Sequence, residues 1–345
     1  MATKNIAILI DDAYGYAGTE NVANYMTECL GDDYSITLFS LNGNGKTFYP
    51  FSKVENIITF AGKRFKLVTT INVLKKNDYD VVFVISMGKL SIAFTFFCII
   101  LGYNKAIVAC EHIALDSFPK KIRYLKYFFL KKISSVVVLT KRDMNKYISK
   151  GINAVHIPNP VQYKGYIRNQ RSHNIIAVGR LEHQKGFERL LKIWSIFKQN
   201  DNKNKLIIAG DGALKDYLIS LACQLDVIDS VDFLGKVKDI DKHYQNSDLL
   251  LMTSYYEGMP LALLEAKSWS LPVVSYDCPT GPKEIIEDGI DGFLIEEDDY
   301  EAFVNKLTTL CNNDTLYFQM SRNTAITSNK FSSKMISDSW KSLVN

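Results

Sequence analysis

The stretch Tyr255-Tyr256-Glu257-Gly258-Met259-Pro260-Leu261-Ala262-Leu263-Leu264-Glu265-Ala266 holds two glutamates, Glu257 and Glu265, on either side of a glycine, a proline and an apolar run. Gly258 frees the backbone for a turn, and Pro260 suits the first turn of a helix, where its missing N–H costs little. The reading is a loop carrying Glu257 and a helix over about 260–270 carrying Glu265. Just upstream, residues 247–252 read as a short buried strand. A strand, a glycine turn and a helix start form a cradle. Its unpaired N–H groups and partial positive charge suit a phosphate, and flanking carboxylates can accept the hydroxyls of a sugar. On spacing alone the two glutamates read equally as ordinary solvated acids.

Outward from this unit, apolar runs alternate with helical periods. Strands are expected at 174–178, 205–209, 231–234, 273–276 and 293–295, and helices at 187–198, 214–223, 240–246, 282–286, 300–311 and 316–325. Before them an independent alternation runs from the strand at 6–10 to the strand at 155–157, with 158–171 as a linker. The apolar helix at 90–101 is expected to be buried, since 12 residues are too few for the roughly 20 a membrane span needs. Repeated β–α alternation in both halves predicts α/β architecture: two doubly wound, Rossmann-like αβα domains, 1–160 and 161–331, facing each other across a cleft.

At 345 residues, 47% apolar and 23% charged, the chain has material for two packed cores and is not disordered. Six scattered cysteines without a C-x-x-C pair suggest reduced thiols and a cytoplasmic setting. The first apolar run is too short for a signal peptide. Residues 1–160 hold 20 Lys and Arg against 12 Asp and Glu, a balance of +8, and the remainder holds 21 against 25, a balance of −4. Such asymmetry points to an anionic partner for the first half.

Several local patterns bear on chemistry. Gly43-Asn44-Gly45-Lys46-Thr47 has the look of a P-loop ending, but Ser40 stands where the first glycine would be, so it reads as a surface turn. Gly18 sits where the first strand gives way to a helix, the position at which ligands approach open α/β sheets. His112 follows the strand at 106–109, at its C-terminal edge; it reads either as a structural histidine or as a group that hydrogen-bonds a substrate or moves a proton near neutral pH. Arg180 and Lys185, in Gly179-Arg180-Leu181-Glu182-His183-Gln184-Lys185-Gly186, lie on a loop entering a helix, which makes a diphosphate site sensible; solvated bases are the alternative. Gly210, Lys236 and Val237 close neighbouring strands and would offer backbone groups to a nucleotide. No metal-ligand spacing stands out, and no metal or cofactor is expected. The basic, aromatic stretch Pro119-Lys120-Lys121-Ile122-Arg123-Tyr124-Leu125-Lys126-Tyr127-Phe128-Phe129-Leu130-Lys131-Lys132 suits an anionic membrane surface as well as it suits a solvated helix face. No nucleic-acid-binding motif is present, and no nucleic-acid partner is expected.

Taken together, G-R-L-x-x-x-K-G at 179–186, E-G-x-P-L-x-x-x-E at 257–265 and Gly289-Ile290-Asp291-Gly292-Phe293-Leu294-Ile295 resemble the retaining glycosyltransferases of family 4, which have the two-domain GT-B fold. The resemblance spans almost the whole chain, and it implies that a last helix over about 332–345 returns to the first domain. It implies transfer of a hexose or N-acetylhexosamine from a nucleotide-sugar, above all a UDP-sugar, to a glycan or lipid-linked acceptor, with anomeric configuration retained. Arg180 and Lys185 would hold the donor diphosphate and Glu265 the ribose. Glu257 with the backbone of Gly258, Met259, Pro260 and Leu261 would face the sugar and phosphate. Gly18 would let its loop approach the donor, and His112 would sit near the reacting carbon and acceptor. Ala17-Gly18 stands where the family usually has two glycines. The segment 278–284 is similar to members that build bacterial surface polysaccharides. With the reduced cysteines and the basic stretch 119–132, the expected setting is cytoplasmic, peripheral on the inner face of the membrane. A nucleotide-sugar epimerase of the same fold and a non-catalytic partner subunit are the competing readings.

Overall fold

The computed structural model describes residues 4–15, 18–200 and 203–344. The chain divides into two compact units, Met1–Pro160 with Ser333–Asn345, and Val161–Ser332.

The first unit runs β1 (Asn5–Asp12), α1 (Gly18–Leu30), β2 (Ser35–Asn42), β3 (Asn56–Thr59), α2 (Lys66–Lys76), β4 (Val81–Ser86), α3 (Leu90–Ile100), β5 (Ala106–Glu111), α4 (Lys120–Leu130), β6 (Ser135–Val138), α5 (Lys141–Ile148) and β7 (Ala154–His156). Its seven strands are parallel, in the order β3-β2-β1-β4-β5-β6-β7. The strands read as continuous apolar runs because helices cover both faces of the sheet: every residue of β4 is buried. The short edge strand β3 was not expected; three of its four residues are exposed, so it lacks the apolar run that marks the others. The loop 43–47 is followed by no helix, as a turn rather than a P-loop requires.

The second unit runs β8 (Asn174–Val178), α6 (Phe187–Lys198), β9 (Lys205–Ala209), α7 (Lys215–Gln224), β10 (Val231–Gly235), α8 (Asp241–Gln245), β11 (Leu249–Met252), α9 (Leu261–Ser268), β12 (Val273–Tyr276), α10 (Pro282–Ile285), β13 (Gly292–Ile295), α11 (Tyr300–Asn312) and α12 (Asp314–Ser328). Its sheet is also parallel, in the order β10-β9-β8-β11-β12-β13. The final helix, α13 (Ser333–Lys341), belongs to the first unit: Ile336 and Trp340 are buried, Trp340 meets Phe83 edge-on at 6.1 Å, and Lys341 pairs with Asp33 of the α1–β2 turn at 2.6 Å.

Two expectations need correction. Residues 158–171 are no free linker. Arg168 donates to the carbonyls of Tyr244 at 2.7 Å and Gln245 at 3.2 Å, and Arg171 pairs with the buried Asp248 at 3.2 Å, so two arginines strap the segment to the second unit. The apolar helix α3 is not buried throughout. It turns Ser91, Phe94, Thr95 and Cys98 inward and leaves Phe96, Ile99 and Ile100 exposed, because an 11-residue helix lying on a sheet can bury only one face.

In each sheet the strand order reverses at one point, between β1 and β4 and between β8 and β11. Open parallel sheets bind ligands just outside the strand C-termini at such a point. The loops after β8 and β11 are those that carry Lys185 and Glu257.

Candidate active site

In the second unit, the loop leaving β8 passes through a short 3-10 turn, His183–Lys185, and reaches Gly186, which caps α6 with φ +63°. A Cβ on Gly186 would stand 2.2 Å from the Thr253 carbonyl oxygen, so only glycine lets this loop lie against the end of β11. That approach brings Lys185 to Glu257: Lys185 Nζ donates to Glu257 Oε1 at 2.7 Å, and the carboxylate side chain is 6% exposed. The Glu257 loop is tied down on both sides. Tyr255 N–H donates to Gln184 O at 2.9 Å, Gln184 Nε2 donates to Tyr256 O at 3.0 Å, and Thr280 Oγ1 donates to Glu257 O. Gly281, at φ +96°, presses on the same loop; its Cβ would lie 2.8 Å from Gly258 O and 2.7 Å from Pro260 Cδ.

Gly258 and Met259 lead to Pro260, which caps α9 instead of occupying its first helical residue as expected; the helix begins at Leu261. With φ −70° and ψ 110° Pro260 is still extended, and it has no side-chain acceptor for the first-turn N–H groups. The helix start thus keeps its anion-binding character beside the Lys185–Glu257 pair.

Glu265 lies one turn further along α9, where Tyr244 Oη donates to its Oε2 at 3.1 Å. Burial pushes the Glu265 carboxyl above the ordinary range, the Tyr244 hydrogen bond opposing it. Arg180 is not brought to Lys185 and Glu257. Its side chain is 68% exposed and reaches Glu182 at 3.3 Å. Gly210 follows β9, and its N–H donates to Gly235 O at 2.9 Å; Lys236 is exposed and Val237 half-buried just after β10. Among the described residues, no group of three or more His, Cys, Asp and Glu side chains could hold a metal.

Arg189 escaped the sequence reading. Its fully buried guanidinium donates to Thr253 O at 2.6 Å and Ser254 O at 2.7 Å, pairs with Asp298 at 3.0 Å, and lies 3.9 Å from the Tyr255 ring centroid and 4.5 Å from that of Tyr276. It gathers the loops after β11 and β13. The signal available was an arginine set inside the apolar stripe Phe187, Leu190, Leu191 of a helix.

In the first unit, Gly18 opens α1, and Ala17 lies outside the described residues. His112 is the first residue past β5, its N–H donating to Ser86 O at 3.1 Å. The imidazole is hydrogen-bonded to Asn159, and its Nε2 has no partner among the described residues. Burial pushes its pKa down to about 4, the Asn159 bond opposing more weakly. The ring is therefore neutral at physiological pH. A neutral imidazole can donate or accept a hydrogen bond without carrying charge.

A family model described as "Glycosyl transferases group 1" matches residues 158–327. The chain is 32% identical to the amylovoran biosynthesis glycosyltransferase AmsD of Erwinia amylovora, covering 99% of both chains. This chain belongs to the group 1 glycosyltransferases. It is also 24% identical, over 95% of its own length and 94% of the other's, to a Campylobacter jejuni enzyme named as an alpha-1,4-N-acetyl-D-galactosaminyltransferase acting on GalNAc-alpha-(1->4)-GalNAc-alpha-(1->3)-diNAcBac-PP-undecaprenol. Among solved structures, Anabaena Alr3699/HepE in complex with UDP matches with a TM-score of 0.83 at 17% identity over 99% of each chain. The fold is GT-B, and the group 1 chain is a glycosyltransferase.

Proposed function

We propose that this glycosyltransferase moves a hexose or N-acetylhexosamine from a UDP-sugar to a glycan or lipid-linked acceptor in bacterial surface polysaccharide synthesis, with retention of anomeric configuration. The observation that carries the reading is the Lys185–Glu257 pair beside the start of α9, at the reversal point of the second sheet. Lys185, the exposed Arg180 and the helix start stabilise the charge that grows on the leaving diphosphate, so no metal is required. Glu257 holds Lys185 and faces the transferred sugar, and Glu265 takes the ribose. The leaving group departs on the face where the acceptor hydroxyl attacks. His112, neutral and with a bare Nε2, orients sugar and incoming hydroxyl by hydrogen bonding. The polysaccharide role is supported by the names of the Erwinia and Campylobacter relatives, and the UDP preference by the UDP complex of the Anabaena protein.

The test is a thermal-shift panel of UDP-glucose, UDP-galactose, UDP-N-acetylglucosamine, UDP-N-acetylgalactosamine, GDP-mannose and ADP-glucose, followed by transfer assays with synthetic diphosphate-lipid-linked saccharides and NMR of the new linkage. A β-linked product would remove the retaining mechanism, and interconversion of a UDP-sugar without acceptor would favour an epimerase. Turnover that vanishes in EDTA and returns with a divalent cation would overturn the metal-free proposal.

We also infer that the first unit docks on the cytoplasmic face of an anionic bilayer. On α3 and α4, Phe96, Ile99, Ile100, Tyr124, Leu125 and Phe128 are exposed, Ile100 at 60% and Phe128 at 63%. Phe96 and Leu125 also line an apolar groove of about 270 Å³ together with Ile92, Phe97, Ile122 and Phe129. Lys89 lines the groove as well, and Lys120, Lys121, Lys131 and Lys132, in α4 and just after it, are exposed. Lys126 does not contribute to it, being buried inside the unit. No described helix is long and apolar enough to cross a membrane. An apolar face rimmed with lysines is what a surface-bound, non-spanning contact requires.

A further inference from the structure

The strand end that carries His112 is held from behind by a charge pair out of reach of water. Glu111, the last residue of β5, and Lys126, in the middle of α4, meet at 2.5 Å, with side chains 2% and 0% exposed. The second carboxylate oxygen of Glu111 accepts from Ser91 Oγ of α3 at 2.5 Å. The Lys126 ammonium also stands 4.6 Å from the Phe118 ring centroid. Charge is not needed to fill this space. Ala109, two residues back on the same strand face, packs in a cluster with Leu115, Leu130 and Tyr147. Burying two ions costs about as much as their attraction returns, and apolar pairs of similar volume commonly serve stability as well or better. What an ion pair adds over an apolar pair is direction.

The direction matters because of what comes next in the chain. The β4–β5 ladder ends at Ser86 and Glu111, and one backbone bond, His112 N–H to Ser86 O, holds the chain before it turns into the 3-10 turn Leu115–Ser117. Side chains alternate across a strand. Glu111 therefore reaches toward α3 and α4, while the next residue, His112, leaves toward the face on which Cys110 packs with Ile157. Fixing the Glu111 side chain fixes the peptide from which the imidazole departs.

We propose that Glu111 and Lys126, with Ser91, are positioning residues for the transfer reaction, holding the β5 end so that His112 Nε2 meets the incoming hydroxyl. This rests on the reading of His112 as the group that orients that hydroxyl. The same carboxylate joins α3 and α4 to this strand end, so the two helices of the apolar face are linked to His112 through one anchor.

The experiment compares five full-length proteins: wild type, His112→Ala, Ser91→Ala, the charge-free double variant Glu111→Leu with Lys126→Met, and the triple variant adding His112→Ala to that pair. For each, Tm, donor KM and kcat are measured as UDP released from the UDP-sugar that shifts Tm most in the panel, with a synthetic diphosphate-lipid-linked saccharide as acceptor. The double variant is expected to melt at or above the wild-type temperature, keep donor KM, and lose about ten- to a hundred-fold in kcat, the scale of a small misplacement of a reacting group. In the His112→Ala background the same pair of changes is expected to cost nothing further, since residues acting through one another are not additive. A double variant that turns over like wild type, or one whose loss is equal with and without His112, overturns the proposal while leaving His112 in place. Should the double variant not fold, Ser91→Ala decides: lower kcat at unchanged Tm supports the anchor, and wild-type kcat overturns it. If His112→Ala itself turns over normally, the His112 reading falls and the positioning role falls with it.

Discussion

The two units repeat one construction and furnish it differently. Each is a parallel sheet whose strand order reverses once, and each presents the loops that follow its strands at that reversal. In the second unit the loops deliver charge: Lys185 and Glu257 pair at 2.7 Å beside the start of α9, with Arg180 exposed nearby in sequence. In the first unit the neighbouring strand end delivers His112, whose burial keeps it uncharged at neutral pH. A diphosphate leaving group needs cations and helix N–H groups, whereas a sugar hydroxyl needs a neutral donor or acceptor. Under the proposed reading, the second unit meets the charged leaving group and the first meets the uncharged hydroxyl that attacks.

The sharpest way to break this comparison is to remove the charge from the second unit. Lys185→Ala takes away the cation proposed to hold the diphosphate and leaves Glu257 buried without its partner. We expect kcat/KM to fall by about 10²- to 10³-fold and UDP affinity, measured by calorimetry, to weaken with it, while Lys185→Arg retains part of both. Donor affinity unchanged in Lys185→Ala would remove the diphosphate assignment and, with it, the charged half of the contrast.

Removing His112 tests the uncharged half. His112→Ala is expected to lower kcat by about 10²-fold with UDP affinity unchanged. Because the imidazole's pKa lies near 4, kcat of the wild type should show no inflection near pH 6.5 attributable to it. Its stability contribution has a definite sign. A histidine whose folded pKa is depressed favours folding above its unfolded value of about 6.5 and loses that contribution as pH falls toward 4. His112→Gln should therefore lose less Tm than wild type between pH 6.5 and 4. Identical pH dependence of Tm in the two proteins would mean that the ring is solvated and titrates normally.

Arg180→Ala should be milder than Lys185→Ala, about ten-fold in kcat/KM, because an exposed guanidinium is screened by solvent in a way the half-buried ammonium is not. A loss equal to that of Lys185→Ala would mean that Arg180 moves onto the donor when it binds.

How much of this was legible in the sequence depended on whether the deciding interaction was local. The strands β8, β9 and β12 could be bounded from apolar runs alone, and the Glu257 loop from Gly258 and Pro260, because backbone preference within a few residues fixes them. Arg189 and Lys126 were not legible. Arg189 stands inside an apolar stripe and Lys126 looks like a solvated base, but what makes each a buried anchor lies outside its helix: Thr253 and Ser254 for Arg189, Glu111 for Lys126. The reverse error occurred at α3, where apolar composition suggested burial but could not say that Ser91 and Thr95 would face inward and Ile99 and Ile100 outward. The charge of His112 was out of reach for the same reason, since its pKa is set by what surrounds it and not by what adjoins it in sequence.

The smallest expected effects concern the charge imbalance along the chain, the +8 of residues 1–160 against the −4 of the rest. If that imbalance serves an anionic bilayer, its contribution should divide into a charged part and an apolar part carried by different residues of α3 and α4. Lys121→Gln removes one exposed cation, worth on the order of 1 kcal/mol near a membrane surface, or about five-fold in vesicle partitioning. Raising salt should weaken wild-type binding and shrink the difference between the two proteins, because exposed charges are screened over about 10 Å at 0.1 M. Ile99→Ser should behave otherwise: it removes apolar area from the exposed end of α3, so its loss of binding should persist in high salt. The measurement is cosedimentation with vesicles of phosphatidylglycerol and phosphatidylcholine at two ionic strengths. If Ile99→Ser binds like wild type while Lys121→Gln does not, the contact is purely electrostatic, and the outward face of α3 has some other occupant. If both variants bind neutral and anionic vesicles alike, the charge imbalance along the chain does not serve a membrane at all.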